Sequence, residues 1–301
     1  MAQIDHNRQV TSRLARRIYF SCGNRYFQKQ VSLEKNREYF GSVFTENGLG
    51  HNFCLEAFFE GPIDPVTGMI VNLDLVDQWL KDVTDPLDHH FLNDDIEFFQ
   101  NHVPTTENVA RYGFEGISGK IQAAGIAVHL FKLRVFESDD LWVDYSSASR
   151  GSATSRERQS ESDPTVHVTK RYKLSAVHRH HNPELSAEEN RKLYHKCSHT
   201  HGHEYLISVT VRGAVDESSG LVVSRDLMDK IVGEGILEPF TGSYLNDHVG
   251  NTSGEIIAAR FFDILEPEFL RDGMPDLARV SVQETRKNSF SQAAEGERKR
   301  A

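Results

Sequence analysis

The sequence predicts an α+β protein in which one β-β-α-α-β-β domain occurs twice in tandem. Three internal echoes, each about 150 residues apart, carry the prediction. Gly213-Ala214-Val215-Asp216-Glu217-Ser218-Ser219-Gly220-Leu221-Val222-Val223 echoes Gly61 to Val71, and Tyr244-Leu245-Asn246-Asp247 echoes Phe91-Leu92-Asn93-Asp94. Val280-Ser281-Val282-Gln283-Glu284-Thr285 echoes Leu133-Arg134-Val135-Phe136-Glu137-Ser138. The copies are expected at 14–145 and 166–290. Between them, 146–165 is rich in Ser, Arg, Glu and Asp with almost no large apolar residue, so it reads as a solvated linker.

Residues 1 to about 12 are polar and expected to be loosely held. From Arg13 to Phe27 the alternation of Leu14, Arg16, Ile18 and Phe20 against Ala15, Arg17 and Tyr19 predicts a strand. Ser32 caps a helix to Phe40, and His51 to Glu60 is a second strand. The breakers of Gly61-Pro62-Ile63-Asp64-Pro65-Val66-Thr67-Gly68 predict a hairpin turn, with Met69-Ile70-Val71 returning as a short strand. Asn72 or Asp74 caps a helix whose apolar positions Leu75, Val76, Trp79, Leu80 and Val83 have helical spacing, and it ends before Pro86.

Leu87-Asp88-His89-His90-Phe91-Leu92-Asn93-Asp94 reads as a polar loop. Its Asp beside a His suits proton transfer, because a carboxylate orients and charges an imidazole; it also suits a plain helix-terminating turn. Thr105 or Thr106 caps a helix through about Ile117, with Glu107 in a capping box or in the first turn. Strands at Ile126 to Phe136 and Leu141 to Tyr145 close the first copy. The tail from about Gln292 is expected to be disordered.

A formal charge of -10 argues against non-specific binding to nucleic acid or to an anionic membrane, which needs clustered Lys and Arg, while leaving room for a small phosphorylated substrate. Cys22, Cys54 and Cys197 are too few, and odd in number, for a disulfide framework. The N-terminus lacks the apolar core of a signal peptide, and no apolar run approaches the roughly 20 residues that span a bilayer. A reduced, cytoplasmic protein is expected.

Chemistry concentrates in Lys196-Cys197-Ser198-His199-Thr200-His201-Gly202-His203-Glu204-Tyr205, which runs into the β-branched stretch Leu206-Ile207-Ser208-Val209-Thr210-Val211. On a strand, His201 and His203 point the same way, roughly 7 Å apart. A catalytic zinc site typically takes three protein ligands and leaves one position open. His178, in the alternating segment Arg171 to Arg179, is the best third ligand if that segment pairs with the strand of His201 and His203. The lack of a His-Glu-x-x-His helix argues against a metalloprotease.

Both copies resemble the 6-pyruvoyltetrahydropterin synthase and 6-carboxytetrahydropterin synthase family. In the second copy, Ser175-Ala176-Val177-His178-Arg179 and His201-Gly202-His203 match the family's zinc-histidine motifs, and Cys197 falls at its catalytic cysteine. In the first, Ile63-Asp64-Pro65-Val66-Thr67-Gly68-Met69, Pro86-Leu87-Asp88-His89 and Thr105-Thr106-Glu107-Asn108-Val109-Ala110 match closely. The resemblance implies the tunnelling fold (T-fold), a four-stranded antiparallel sheet with two helices on one face, assembling into β-barrels. Six domains per particle are implied, hence a homo-oligomer of three chains. It implies Zn2+ on His178, His201 and His203, and a pterin substrate, 7,8-dihydroneopterin triphosphate. Thr105 and Thr106 are implied to bind that substrate. Glu137 is placed at the family's pterin-anchoring glutamate, with Glu284 as its counterpart. A carboxylate suits that role, since the pterin's amino group and ring N–H form a two-donor edge.

The departures are complementary. In the first copy Asn24 and Leu49 replace two zinc histidines, only His51 remains, and Thr45 stands at the cysteine position. In the second, Pro239-Phe240-Thr241-Gly242-Ser243 replaces the Asp-His pair. The resemblance therefore implies a composite site, with zinc and Cys197 as base from the second copy and a proton relay through His89 and Asp88 from the first. Loss of triphosphate would give a 6-pyruvoyl product, and carbon-carbon cleavage a 6-carboxy product. The rival reading is a non-catalytic zinc- or pterin-binding scaffold. Random decay would leave overlapping gaps in the two copies, and these gaps do not overlap.

Overall fold

In the first repeat, Thr11–Asn24 (β1), Leu49–Pro62 (β2), His129–Ser138 (β3) and Leu141–Ser146 (β4) form an antiparallel sheet in that order. The computed structural model describes residues 10–146 and 164–295. Period-two alternation decides which face is covered. Phe53, Leu55, Ala57 and Phe59 of β2, Leu133 and Val135 of β3, and Val143 of β4 are fully buried. Two helices cover that face. Leu73–Thr84 is capped by Asn72, which accepts from Asp74 N at 2.9 Å, and buries Val76, Trp79, Leu80 and Val83. Thr106–Ala124 is capped by Thr105 and ends on left-handed Gly125. Gly113 permits the close approach of this helix, because a Cβ there would stand 2.7 Å from Leu133 Cδ2.

The second repeat builds its sheet from Thr165–His178 (β5), His201–Gly213 (β6), Asp276–Thr285 (β7) and Asn288–Ala293 (β8). Its covering helices are Arg225–Val232, extended by the π turn Gly233–Leu237, and Gly254–Phe269. Tyr205, Ile207, Val209 and Val211 of β6 are fully buried, as are Met228, Ile257, Phe261 and Leu265 of the helices. Ser32 and Ser186 cap corresponding short helices, Leu33–Phe40 and Ala187–Tyr194. Each repeat is thus an α+β domain with a four-stranded antiparallel sheet and two covering helices.

Two compact units result. The first runs to Val168 and includes Ala214–Val222; the second comprises Thr169–Gly213 and the chain from Val223 onward. Leu221 accordingly packs with Tyr26, Phe40 and Val103, so the segment that echoes Gly61 to Val71 belongs to the first unit rather than to its own repeat.

Several expectations shift. Met69–Val71 is not a strand: Asp64 Oδ1 accepts from Val66 N and Thr67 N, Asp64 N donates to Met69 O at 2.9 Å, and Asn72 starts the helix before a ladder can form. β1 stops at Asn24 instead of reaching Phe27, and the helix expected to end near Ile117 continues to Ala124. Gln292 lies inside β8, so order extends beyond the expected start of the tail. The expected linker contributes Ser146 to β4 and Thr165 to β5, while 147–163 and the last residues, 296–301, lie outside the described residues.

Candidate functional site

Three ligand atoms from His178, His201 and His203 lie within 4.8 Å of one another in the second unit. His178 ends β5, and His201 and His203 open β6 on one face of the strand, as the spacing predicts. Ring centroids stand 4.6, 5.2 and 5.0 Å apart for the pairs 178–201, 178–203 and 201–203. His178 Nδ1 donates to Thr252 O at 3.1 Å and His201 Nδ1 donates to His199 O at 2.7 Å, bonds that leave each Nε2 lone pair free to ligate. His178 is completely buried, and both His178 Nε2 and His203 Nε2 lack any hydrogen-bond partner. Burial, reinforced by His201, pushes the His178 imidazole down to about 4, and burial likewise lowers His203. Neutral imidazoles with orphaned, converging nitrogens fit a divalent transition metal such as zinc.

Cys197 sits in a 3-10 turn, His195–Ser198, partly buried, and its carbonyl accepts from His180 N at 2.7 Å. That bond ties the cysteine segment to the residues that follow His178. His180 itself packs edge-on against His178 at 5.4 Å, a neighbour not singled out from the sequence. The carboxylate of Glu284, at the end of β7, places Oε1 3.5 Å from His178 Nε2 and 3.6 Å from His203 Nε2.

In the first unit the corresponding positions hold no such cluster; among the described residues, both three-ligand groups lie in the second unit. Asn24 occupies the end of β1 as His178 does that of β5, and its Nδ2 donates to Pro104 O at 2.6 Å, repeating the His178–Thr252 bond. Its Oδ1 bonds His51 Nε2 at 3.0 Å, and His51 Nδ1 stands 3.8 Å from Glu137 Oε1. Burial lowers the His51 imidazole pKa, against the opposing pull of Glu137. Glu137 Oε2 accepts from Thr106 Oγ1 in a short hydrogen bond and from Tyr26 OH at 3.3 Å. Thr105 is spent differently, as the helix cap and as donor to Gly220 O at 2.6 Å within the same unit.

Asp88 and His89 form a pair at 2.9 Å on a turn pinned to β1: Ser21 N donates to Asp88 Oδ1 at 2.8 Å and His89 N donates to Ser21 O at 2.6 Å. The Ser21 N–H first and His89 second hold the Asp88 carboxyl below the ordinary aspartate range, so it stays anionic and fixes the ring of its neighbour. His89 is 81% exposed and has φ 59°, a left-handed conformation that costs a non-glycine residue roughly 1–2 kcal/mol. Gly242 makes the same bond to β5, its N donating to Ser175 O at 2.7 Å with φ 72°, so the second unit keeps the turn with glycine where the first holds a strained histidine.

A sequence profile described as 6-pyruvoyl tetrahydropterin synthase matches residues 14–148 and, a second time, residues 167–295. The 6-pyruvoyl tetrahydrobiopterin synthase of Homo sapiens is 37% identical over 139 residues, covering 46% of this chain and 93% of that protein. A putative 6-pyruvoyl tetrahydrobiopterin synthase of Caenorhabditis elegans is 34% identical over 119 residues, covering 40% of this chain and 83% of its own. The solved structure of Caenorhabditis elegans 6-pyruvoyl tetrahydropterin synthase covers 44% of this chain and 92% of its own, at 32% identity and a TM-score of 0.41.

Proposed function

The chain belongs to the 6-pyruvoyl tetrahydropterin synthase family, and from that premise we propose that it is a zinc-dependent tetrahydropterin synthase, a lyase acting on 7,8-dihydroneopterin triphosphate. The observation that carries the reading is the trio of buried or half-buried imidazoles whose ligand atoms converge in the second unit, with His178 Nε2 and His203 Nε2 lacking hydrogen-bond partners. His178, His201 and His203 would hold the zinc, which when bound would supply Lewis acidity toward the substrate hydroxyls. Cys197 takes the proton from the substrate side chain, and His89, oriented by Asp88, moves a second proton. Glu137, already fixed by Thr106 and Tyr26, accepts the two N–H donors of the pterin edge. The losses in one repeat match retentions in the other, so both sets serve one reaction. The assembly that goes with this reading is three chains, six domains; no helix among the described residues is long and apolar enough to cross a membrane.

Incubation with 7,8-dihydroneopterin triphosphate and identification of the product by mass tests the proposal. Conversion to the 6-pyruvoyl or the 6-carboxy pterin supports it, and an unchanged substrate with the zinc-loaded chain counts against it. One zinc per chain is expected. His201→Ala should lose most of that metal with the far-ultraviolet circular dichroism of the parent, because each core is built from apolar side chains that do not touch the metal. Two zincs per chain would refute the assignment of a single metal-binding repeat.

A further inference from the structure

Two loops of the chain, 64–69 after β2 and 216–221 after β6, share one conformation. Asp64 N donates to Met69 O at 2.9 Å and Gly68 N to Asp64 O at 2.8 Å, as Asp216 N does to Leu221 O at 3.0 Å and Gly220 N to Asp216 O at 2.7 Å. Asp64 Oδ1 accepts from the N–H and hydroxyl of Thr67, as Asp216 Oδ1 does from those of Ser219. Gly68 and Gly220 have φ 72° and 73°. The surroundings of the two loops differ. Gly220 O accepts from Thr105 Oγ1 at 2.6 Å, Val222 N donates to Glu107 Oε1 at 3.2 Å, and a Cβ on Gly220 would stand 2.7 Å from Asn108 Nδ2. Leu221, 3% exposed, packs with Tyr26, Phe40 and Val103. Loop 64–69 has no such seat among the described residues: a Cβ on Gly68 would meet nothing within 4 Å, and Met69, the counterpart of Leu221, is 42% exposed.

The second unit carries the matching empty seat. Ser253 caps Gly254–Phe269 as Thr105 caps Thr106–Ala124, so Glu255 and Ile256 answer to Glu107 and Asn108. Tyr194 ends Ala187–Tyr194 as Phe40 ends Leu33–Phe40, and His180 follows His178 by two residues as Tyr26 follows Asn24. In the first unit Thr105, Glu107 and Asn108 are buried beneath the docked loop. Their counterparts are not: Glu255 is exposed, Ile256 is 44% exposed, and Ser253 is half-buried, as are Tyr194 and His180. The surfaces diverge at Gly254, which stands where Thr106 does. A Cβ there would stand 2.0 Å from Phe290 Cδ2, and Phe290 pairs with Val282 on β7 as Val143 pairs with Val135 on β3, so a ring fills the space of the threonine side chain. Gly254 is buried, and that exchange leaves Ser253, Glu255 and Ile256 to receive a loop.

We propose that loop 64–69 of one chain docks on the second unit of another copy, with Met69 seated beside Tyr194, Ile256 and His180 as Leu221 is seated in the first unit. Gly68 O then accepts from the Ser253 hydroxyl, and Ile70 N, the counterpart of Val222 N, donates to Glu255. Exposed apolar side chains on both surfaces, Met69 on the loop and Ile256 and Leu193 around the seat, leave water together. Each chain offers one free loop and one free seat on different units, so the contact runs head to tail and is satisfied throughout only when a ring closes. The seat borders the histidine cluster, because His180 packs against both Tyr194, at 5.5 Å, and His178, at 5.4 Å. The contact is independent of the synthase chemistry.

The test follows the mass of the whole chain by light scattering through a dilution series. The parent is expected to be an oligomer. Met69→Asp on the loop and Ile256→Asp on the seat should each raise the concentration at which it dissociates by about 10- to 100-fold, the effect of disrupting a central contact. Both should keep the circular dichroism of the parent, since each side chain is exposed within its own chain. Met69→Lys combined with Ile256→Asp should recover part of the loss, because opposite charges then meet across the contact. Val66→Asp should dissociate as the parent does: Val66 is 91% exposed, and its counterpart Ser218 stays exposed on the docked loop. A monomeric parent, or parental dissociation in both Met69→Asp and Ile256→Asp, overturns the proposal.

Discussion

Cys197→Ala and His89→Ala are each expected to lower turnover by about 10²- to 10⁴-fold, the range that a positioned acid or base contributes. Zinc content should stay at the parent value, since neither residue is among the atoms that converge in the metal cluster. Cys197 lies on a turn tethered by the His180 N–H, and His89 on a turn tethered to β1, so neither truncation removes the backbone bonds that hold its loop. If the two side chains serve one reaction, the double variant should be little slower than either single one, because groups that act as a unit are strongly non-additive. Mixing the two single variants reads the geometry of the assembly: recovered activity means that the partners come from different chains, and none means that they come from the same chain. Full activity in His89→Ala would leave Cys197 and the metal to act without the first repeat and would refute the shared reaction.

Gly254→Thr is expected to destabilise the second unit by about 2–3 kcal/mol, the cost of overpacking a filled site. The side chain would be built into three ring atoms of Phe290, the farthest of them only 2.6 Å from the new Cβ. Phe290→Val alone should cost about 1–2 kcal/mol through the space it empties. Together they recreate the threonine-valine pair of the first repeat, and the double variant should return to within about 1 kcal/mol of the parent, a coupling of the size that neighbouring residues in contact show. Chemical denaturation of the four proteins measures the cycle. Additive losses would mean that Phe290 does not occupy the place of the Thr106 side chain.

Much of this protein is legible from residue order. Period-two alternation in β1, β2 and β6 sets the strand faces, and since side chains on a strand alternate, His-x-His at 201 and 203 has to share a face. The helix at Leu73–Thr84 follows from the spacing of Val76, Trp79, Leu80 and Val83 and from a capping Asn72. The echo between repeats exposes the exchange of His178 for Asn24 and of Asp88-His89 for Thr241-Gly242.

Other features have no local signal. The missing strand at Met69–Val71 turns on the hydrogen bonds that Asp64 collects around its own loop, and β-branched composition cannot report those. Whether Thr105 or Thr106 caps the helix is undecided by sequence; the structure makes Thr105 the cap and thereby frees the Thr106 hydroxyl for Glu137. The different fates of Glu137 and Glu284 depend on residues of other elements, Thr106 on a helix for one and Gly254 on a helix with Phe290 on β8 for the other. The left-handed backbone at His89 comes from its docking to Ser21, on a strand far back in the chain. Periodicity and caps are read along the chain because neighbours set them, whereas the partner of a half-buried carboxylate is set by which volumes fill the space beside it, and only packing in three dimensions decides that.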